Sequence, residues 1–200
     1  MNKIVFMATK NENKIAEIRP ILKDLHVELK SITNQINIPD AIENGKTFAE
    51  NSLLKAIHYY KYLQAPVMAD DSGLVVPALN GDPGIYSARY AGEKSNYALN
   101  NEKLLKKMQQ LTGEQRAAYF ICSVVYKDQD IELLAEGKCH GSITNKARGK
   151  GGFGYDPMFE VPEIGKTFAE ISAEHKNTIS HRSLAFRKMA EMLNEYWKIY

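Results

Sequence analysis

The stretch "AAYFICSVVYKDQDIELLAEGKC", residues 117–139, holds two apolar, strand-like segments separated by three polar residues. The first segment is Ala117–Lys127 and the second is Ile131–Cys139. A polar connection as short as "DQD" between two such runs predicts an antiparallel hairpin. This hairpin places long antiparallel strands in the second half of the chain.

The segments on either side of the hairpin alternate between strand-like and helix-like patterns. The predicted strands are Ile4–Ala8, Val27–Ile32 and Val67–Ala69, with Leu74–Leu79 continuing extended. The predicted helices cover 15–25, Thr47–Leu63, 104–111 and Ser183–Tyr196. Pro20 is expected to kink or end the first of these helices, because proline lacks an N–H and clashes with the preceding turn. Strand–helix alternation combined with an antiparallel hairpin predicts a mixed α/β fold.

Composition limits the classes of protein that the chain can represent. Its 200 residues fit a single domain, or one with a small lobe. With 26 Lys and Arg against 24 Asp and Glu, the net charge is only +2, so we expect no nucleic-acid or membrane partner. The longest apolar run, residues 117–126, suits a strand and is too short to span a membrane. Cys122 and Cys139 are expected to be buried reduced thiols, which fits a cytoplasmic protein.

The hexapeptide "GKTFAE" occurs twice, at residues 45–50 and 165–170. A phosphate-binding loop would also need a glycine five residues before its Gly–Lys pair. Asp40 and Glu160 occupy those positions. Both copies are therefore predicted to begin helices with a Thr-x-x-Glu cap.

Two adjacent carboxylates, Asp70 and Asp71, follow an apolar run in "VMADDSGL", residues 67–74. One interpretation is a turn in which one aspartate caps the backbone and the other is solvated. The other is a ligand site at the carboxyl end of a strand, where a divalent cation removes the repulsion between the carboxylates. Since Mg²⁺ binds through one or two carboxylates together with substrate phosphates, this interpretation requires phosphate ligands elsewhere.

Candidate phosphate ligands lie in "ATKNENK", residues 8–14, where the first strand leads into its helix. Free N–H groups at a helix start favour an anion, and Thr9, Asn11 and Lys14 add a hydroxyl, an amide and a cation. Taken alone, Thr9 or Asn11 could be only a helix cap. Lys55 lies in the second predicted helix and could equally be an ordinary exposed lysine.

Two later segments carry groups that suit a nucleobase. "GKGGFGYDPMF", residues 149–159, brings four glycines close to aromatic rings on which a base can stack, although the rings could instead fill the core. "EHKNTISHR", residues 174–182, offers Lys176, His181 and Arg182 just before the last predicted helix. His175 and His181 lack the spacing of a helical metal pair, so zinc is not expected.

The motifs "TKNENK", "ENGKTFAENSLLKA", "ADDSGL", "GDPGIYSARYAG", "GGFGYDP" and "SHR" resemble, in order, those of the inosine triphosphate pyrophosphatases, the Ham1-like family. The resemblance runs from about Lys3 to the final helix. It implies an elongated mixed α/β fold with a long central sheet, one domain over residues 1–200 and an active cleft between two lobes. It also implies a homodimer that uses Mg²⁺ to cleave ITP, dITP and XTP to the monophosphate and pyrophosphate.

Matching positions in these motifs imply three groups of site residues. The phosphate-binding group comprises Thr9, Lys10, Asn11, Glu12, Asn13, Lys14 and Lys55. The metal-binding group comprises Glu43, Asp70 and Asp71, with Asp71 also acting as the catalytic base, and Ser72 would touch the substrate. The base-binding group comprises Phe153, Gly154, Tyr155, Asp156, Lys176, His181 and Arg182.

This reading predicts that a water oriented by Asp71 and Mg²⁺ attacks the α-phosphorus and that pyrophosphate leaves. Donors from His181 or Arg182 would pair with the purine C6 oxygen and be left unpaired against adenine. Two other functions stay open: a metal-dependent phosphatase or nuclease, and a nucleotide-binding module without catalysis. The segment Asn80–Glu93 is expected to lie near the dimer surface.

Overall fold

The structure, a computed structural model, describes residues 3–34, 38–92 and 96–199. Within these residues it contains seven strands and five α-helices. The strands are β1 (Lys3–Met7), β2 (Val27–Ser31), β3 (Val67–Val75), β4 (Ala117–Lys127), β5 (Glu132–Ile143), β6 (Phe159–Val161) and β7 (Lys166–Thr167). The helices are α1 (Glu12–Ile18), α2 (Phe48–Leu63), α3 (Tyr97–Met108), α4 (Ala173–Ile179) and α5 (His181–Ile199). The mixed α/β class predicted from the sequence is confirmed.

The strands form one sheet in the order β2-β1-β3-β4-β5-β6-β7. β1 pairs in parallel with both β2 and β3, whereas β6 pairs antiparallel with β5 and β7. The pairing of β1 with β3 ends at Met7 and Met68. Asp70 and Asp71 follow two and three residues later on β3, past the carboxyl end of β1.

The chain divides into two compact units. The first comprises Met1–Asp71, Cys122–Gly137 and His181–Tyr200, and the second comprises Ser72–Ile121 and Lys138–Ser180. Strands β3, β4 and β5 therefore contribute residues to both units. The single domain with two lobes and a cleft stays a prediction.

In the first unit, helices cover both faces of the strands. Neighbouring residues of a strand point to opposite faces, so Met68 and Val124 join one apolar cluster while Val67 and Val125 join another. The first cluster receives α5, through residues such as Phe186, and the second receives α2. This arrangement leaves the start of α5 and one face of α2 close to the end of β1.

In the second unit, an aromatic cluster forms the core. Phe159 packs against Phe120 at 4.7 Å and against Phe168 at 5.1 Å between ring centroids. Leu104 and Met108 of α3 pack in the same cluster and are fully buried. Cys139 also lies there, and both cysteines are buried and unbridged, as predicted.

Several boundaries differ from those predicted. α1 ends at Ile18 because Pro20 prevents its continuation, which the sequence indicated. β3 is continuous over nine residues, so the two aspartates lie inside a strand and not in a turn after it. The strand ends at Val75, and Pro77–Leu79, expected to be extended, form a 3₁₀ turn.

The two "GKTFAE" copies fold differently. At the first, Thr47 caps α2 by accepting from the Glu50 N–H at 3.1 Å, as predicted. At the second, Thr167 and Glu170 form the predicted cap, but it is followed by a single 3₁₀ turn. The prediction that an α-helix begins here is wrong. Six shared residues fix the cap, and the residues after them decide whether a helix continues.

In the part of the chain that the structure describes, none of the helices is long and apolar enough to cross a membrane.

Candidate active site

The connection between β1 and α1 forms a tight polar turn. The Thr9 hydroxyl accepts from the Asn11 N–H at 3.1 Å. Asn11 is the N-cap of α1, and its side-chain oxygen accepts from the N–H groups of Asn13 and Lys14 at 3.0 and 3.4 Å. The side chains of Thr9 and Asn11 therefore cap backbone N–H groups in this conformation. The sequence had left this role open beside phosphate binding.

The outer residues of this turn point into solvent. Glu12 and Asn13 are exposed, and Lys10 forms an exposed ion pair with Asp40 at 2.6 Å. The hydrogen bond to Asp40 and the charge of its carboxylate raise the pKa of the Lys10 ammonium group, and burial opposes this only weakly.

Lys14 points inward from the first turn of α1 to Asp70. Its Nζ donates to Asp70 Oδ2 at 2.7 Å, and the Asp70 side chain is fully buried. Arg182 Nε lies 3.8 Å from the same oxygen, and Arg182 is also paired with Glu17 at 2.5 Å. Asp70 therefore lies among cations that the turn after β1 and the start of α5 supply.

These cations keep Asp70 ionised. Burial acts to raise the pKa of its carboxyl, but the charges of Lys14, Arg182 and Lys55 outweigh burial and lower the pKa to about 2. Its other oxygen, Oδ1, is buried without a hydrogen-bond partner among the described residues. Asp70 is a permanent buried anion at neutral pH.

One face of α2 carries the groups that meet Asp71 and the Asp70 backbone. Asn51 and Lys55 are four residues apart, so they lie on the same side of the helix. Lys55 Nζ donates to the Asp70 carbonyl oxygen at 2.9 Å and lies 3.0 Å from Glu43 Oε2. Asn51 Nδ2 donates to Asp71 Oδ2 at 3.1 Å.

The pKa of Asp71 is shifted in the opposite direction to that of Asp70. Burial raises the pKa of the Asp71 carboxyl, Glu43 adds to the rise, and Lys55, Lys14 and the Asn51 hydrogen bond only partly offset it. Two adjacent carboxylates whose environments push their pKa values apart are suited to different roles. Asp71, with the higher pKa and partial exposure, is the better proton acceptor.

The residues around Asp71 fit a hard divalent cation by their donor chemistry. In the ranges that the structure describes, no three His, Cys, Asp or Glu residues surround one point, so a cage made of protein ligands alone is absent. Mg²⁺ needs only one or two carboxylates when phosphates and waters supply the rest. Glu43 and Asp71 are partly exposed and offer those oxygens.

The second unit holds most of the predicted base-binding residues together. Asp156 Oδ2 accepts from the Phe153 N–H at 2.8 Å and from Lys176 Nζ at 2.5 Å. Lys176 Nζ also lies 4.9 Å from the centroid of the Phe153 ring. The Gly154 carbonyl accepts from Asn101 Nδ2 at 3.0 Å. These contacts fix the loop that carries the Phe153 ring, which is itself partly exposed.

Five further predicted site residues lie in the core or within regular secondary structure. Tyr155 is a core side chain whose hydroxyl donates to the Ser87 carbonyl at 2.9 Å, and burial raises its pKa. Lys176 lies within α4, before the last helix as predicted, whereas His181 and Arg182 are the first two residues of α5, which begins two residues earlier than expected. His181 and Arg182 are both buried. Ser72 is partly buried and belongs to the second unit.

A family model described as the Ham1 family matches residues 5–192. This chain belongs to the Ham1 family. Two curated relatives from Desulfotalea psychrophila and Clostridium perfringens are each 48% identical, over 93% and 94% of this chain and 83% and 95% of theirs. Both are named dITP/XTP pyrophosphatase.

Solved Ham1 structures have the same fold. The Staphylococcus aureus Ham1 protein has a TM-score of 0.88 at 41% identity and covers 97% of this chain and 100% of its own. A HAM1 protein from Coxiella burnetii has a TM-score of 0.88 at 37% identity, over 96% and 99%. The resemblance drawn from the motifs is confirmed at the level of family and fold.

In this Ham1-family chain, two residues that the motif comparison did not assign hold assigned ones in place. Asn51 binds Asp71 and lies inside the motif "ENGKTFAENSLLKA", four residues before Lys55, which was its only signal in the sequence. Glu17 pairs with Arg182 across a separation of 165 residues. Glu17 lies three residues after Lys14 on α1, but nothing in that spacing indicates a contact with Arg182.

Proposed function

We propose that this chain hydrolyses non-standard purine nucleoside triphosphates, ITP, dITP and XTP, to the nucleoside monophosphate and pyrophosphate. The observation that carries this proposal is the pair Asp70–Asp71, in which one carboxylate is held ionised by Lys14 and its neighbour has a raised pKa. Membership of the Ham1 family and the names of its curated relatives support it.

Asp71 accepts the proton of the attacking water in this mechanism. The water oxygen forms a bond to the α-phosphorus, the bond from that phosphorus to the bridging α–β oxygen breaks, and pyrophosphate leaves with the electron pair. Lys14 and Lys55 face the leaving group and offset its charge, since positioned cations stabilise charge that develops in the transition state. Thr9 and Asn11 help to hold the phosphates.

Glu43 and Asp71 are the residues that would hold Mg²⁺, with Asp70 supporting them. When bound, Mg²⁺ supplies charge neutralisation to the triphosphate and can lower the pKa of water. In the protein alone, Lys55 pairs with Glu43 and Lys14 pairs with Asp70, while Asp71 accepts from Asn51.

The roles of the predicted base-binding residues are part of the same proposal. Phe153 would stack on the purine, and Asp156, Lys176, His181 and Arg182 would read its edge. Tyr155 supports the loop from the core through its hydrogen bond to Ser87.

The test is product analysis on a panel of ITP, dITP, XTP, GTP and ATP with and without Mg²⁺. We expect pyrophosphate from the first three, and a fall in kcat of about 10²–10⁴ in Asp71→Asn, the range for loss of a general base. Asp130→Asn, an exposed aspartate after β4, is the matched control and should retain activity. Orthophosphate as product would favour a phosphatase, and no turnover of any triphosphate would favour a binding module.

The cytoplasmic location, the homodimer and the single-domain architecture belong to the same proposal. The segment 80–93 is the candidate for the dimer surface, and Glu93 lies outside the described residues. Tyr86 in this segment is 54% exposed, with the Arg89 guanidinium 5.3 Å from its ring centroid. Light scattering on purified protein, with Tyr86→Glu beside wild type, tests the dimer and this surface together.

A further inference from the structure

A single buried amide joins the two segments that carry the candidate metal ligands. Asn51 is 1% exposed and lies in the first turn of α2. Its Oδ1 accepts from the Gly45 N–H at 2.9 Å, and its Nδ2 donates to Asp71 Oδ2 at 3.1 Å. Gly45 is two residues after Glu43, so one side chain contacts the Glu43 segment at one end and Asp71 at the other.

The orientation of this amide follows from its partners. A backbone N–H can only donate, so the Asn51 oxygen must face Gly45. The NH₂ group is then directed at Asp71, where it needs a carboxylate or another acceptor. Neither end can be exchanged without leaving a buried polar group unpaired, which costs about 1–3 kcal/mol.

The contact with Asn51 requires a residue without a side chain at position 45. A Cβ at Gly45 would lie 2.7 Å from Glu50 Cβ and 2.8 Å from Asn51 Oδ1. Both distances are too short for non-bonded carbon and oxygen atoms, so any side chain would push the loop away from α2. The close approach of this loop to Asn51 therefore depends on glycine.

Lys55 adds a second point of attachment one turn further along α2. Its Nζ pairs with the Glu43 carboxylate at 3.0 Å. Loss of this ion pair frees Glu43 for a metal, whereas the Asn51 amide has no reason to release Gly45 when a cation arrives. The Lys55–Glu43 ion pair can therefore be exchanged for a metal, whereas the hydrogen bond between Asn51 and Gly45 stays in place.

We propose that Asn51 is a positioning residue that sets the spacing of Glu43 and Asp71 for a divalent cation, with Gly45 as its fixed partner. This inference rests on the proposed function, because it assumes that these carboxylates bind the metal of a triphosphate hydrolase. Groups that orient metal ligands commonly change metal affinity or activity by about 10–100-fold when they are removed.

The test variants are Asn51→Leu, which keeps the branched shape without a donor or acceptor, Asn51→Ala, and Gly45→Ala. Asn100 supplies a matched control. It is 2% exposed, lies on α3, accepts from the Ala91 N–H at 2.7 Å and donates to the Ala88 carbonyl at 3.1 Å. Asn100→Leu and Asn100→Ala remove the same kind of buried amide where no carboxylate is contacted.

Two readouts separate positioning from folding. The first is the dissociation constant of Mn²⁺, from the electron paramagnetic resonance signal of the free ion, with and without α,β-imido-ITP. The second is kcat and KM for ITP as Mg²⁺ is varied, with thermal unfolding measured on every variant. We expect Mn²⁺ affinity to fall at least tenfold in the Asn51 and Gly45 variants, with kcat partly restored by high Mg²⁺ and KM for ITP nearly unchanged. The Asn100 variants should lose thermal stability and bind Mn²⁺ within twofold of wild type.

Mn²⁺ affinity within twofold of wild type in both Asn51 variants would overturn the inference, as would an equal loss in the Asn100 variants. The proposed function is scored separately, by pyrophosphate release from ITP in the wild type. If the wild type binds Mn²⁺ and the Asn51 variants do not, but no triphosphate is cleaved, the proposed function fails and the positioning role stands.

Discussion

Lys14 Nζ lies 2.7 Å from Asp70 Oδ2, and the Asp70 side chain has no solvent-exposed surface. An exposed pair of nearly equal length, Lys107 and Asp82 at 2.6 Å, occurs in the second unit with both side chains about 40% exposed. The two pairs have the same chemistry and differ in burial. They therefore allow the energetic effect of burial at the candidate site to be measured.

Replacing Asp70 with Asn is expected to destabilise the fold by about 3–5 kcal/mol, because it leaves Lys14 and Arg182 in a buried position without their shared counter-charge. Asp82→Asn should cost about 1 kcal/mol or less, since solvent screens the exposed pair. Urea denaturation followed by circular dichroism measures both. Equal losses in the two variants would show that Asp70 is not the anion on which its neighbours depend.

The depressed pKa of Asp70 predicts a specific pH dependence of stability. Its folded pKa is about 2 against an ordinary value of 3.8, so the carboxylate stabilises the fold above pH 4. This contribution, about 2 kcal/mol, is lost as the pH falls from 4 toward 2. In chelator-treated protein, the difference in unfolding free energy between wild type and Asp70→Asn should shrink by that amount over this window. A difference that stays constant from pH 5 to pH 2.5 would contradict the assignment.

Local patterns in the sequence were enough to predict the strand and helix order of the first unit. Pro20 ends α1, Thr47 caps α2, and β4 has the predicted bounds, while β5 begins within one residue of its predicted start and continues four residues past its predicted end. Each of these features depends on a few neighbouring residues. The two aspartates were misplaced because "DDSG" has turn composition, whereas in the fold both lie within the continuous strand β3.

The sequence assigned a set of site residues, which stays a prediction, but it indicated none of the contacts between them. Motif matching assigned Lys14, Lys55 and Asp71, yet nothing local shows that Lys14 would pair with Asp70, 56 residues away. Asn51 and Glu17 were missed for the same reason. Motif matching assigned Tyr155 to the base-binding group, whereas the fold shows a buried side chain whose hydroxyl donates to the Ser87 carbonyl.

Lys55→Met should lower kcat/KM for ITP by about 10²–10³, because the proposed function uses this cation to stabilise the departing pyrophosphate. Lys61→Met is the matched control, because Lys61 lies on the same helix and is exposed. Steady-state kinetics at saturating Mg²⁺ and thermal unfolding should be measured on both. If Lys55→Met keeps more than a third of wild-type kcat/KM, the lysine serves only to balance Glu43.

Gly152 tests whether the Asp156–Lys176 pair organises the second group of site residues. Gly152 has a φ of +68°, and a Cβ there would lie 2.0 Å from Asp156 Oδ2, the oxygen that accepts from both Lys176 and the Phe153 N–H. Gly165, with a φ of +60° and no atom within 4 Å of its Cβ position, provides the matched control. Gly165→Ala should cost only backbone strain, about 1–2 kcal/mol.

Gly152→Ala should cost about 3 kcal/mol more than this control, because the displaced carboxylate leaves a buried ammonium group unpaired. It should also lower kcat/KM for ITP more than Gly165→Ala does, since the Phe153 ring loses the hydrogen bond that fixes its backbone. Urea denaturation and steady-state kinetics on the two variants measure these differences. If both variants lose the same stability and retain the same activity, the Asp156 carboxylate has another position in solution, and the role assigned to its pair with Lys176 must be abandoned.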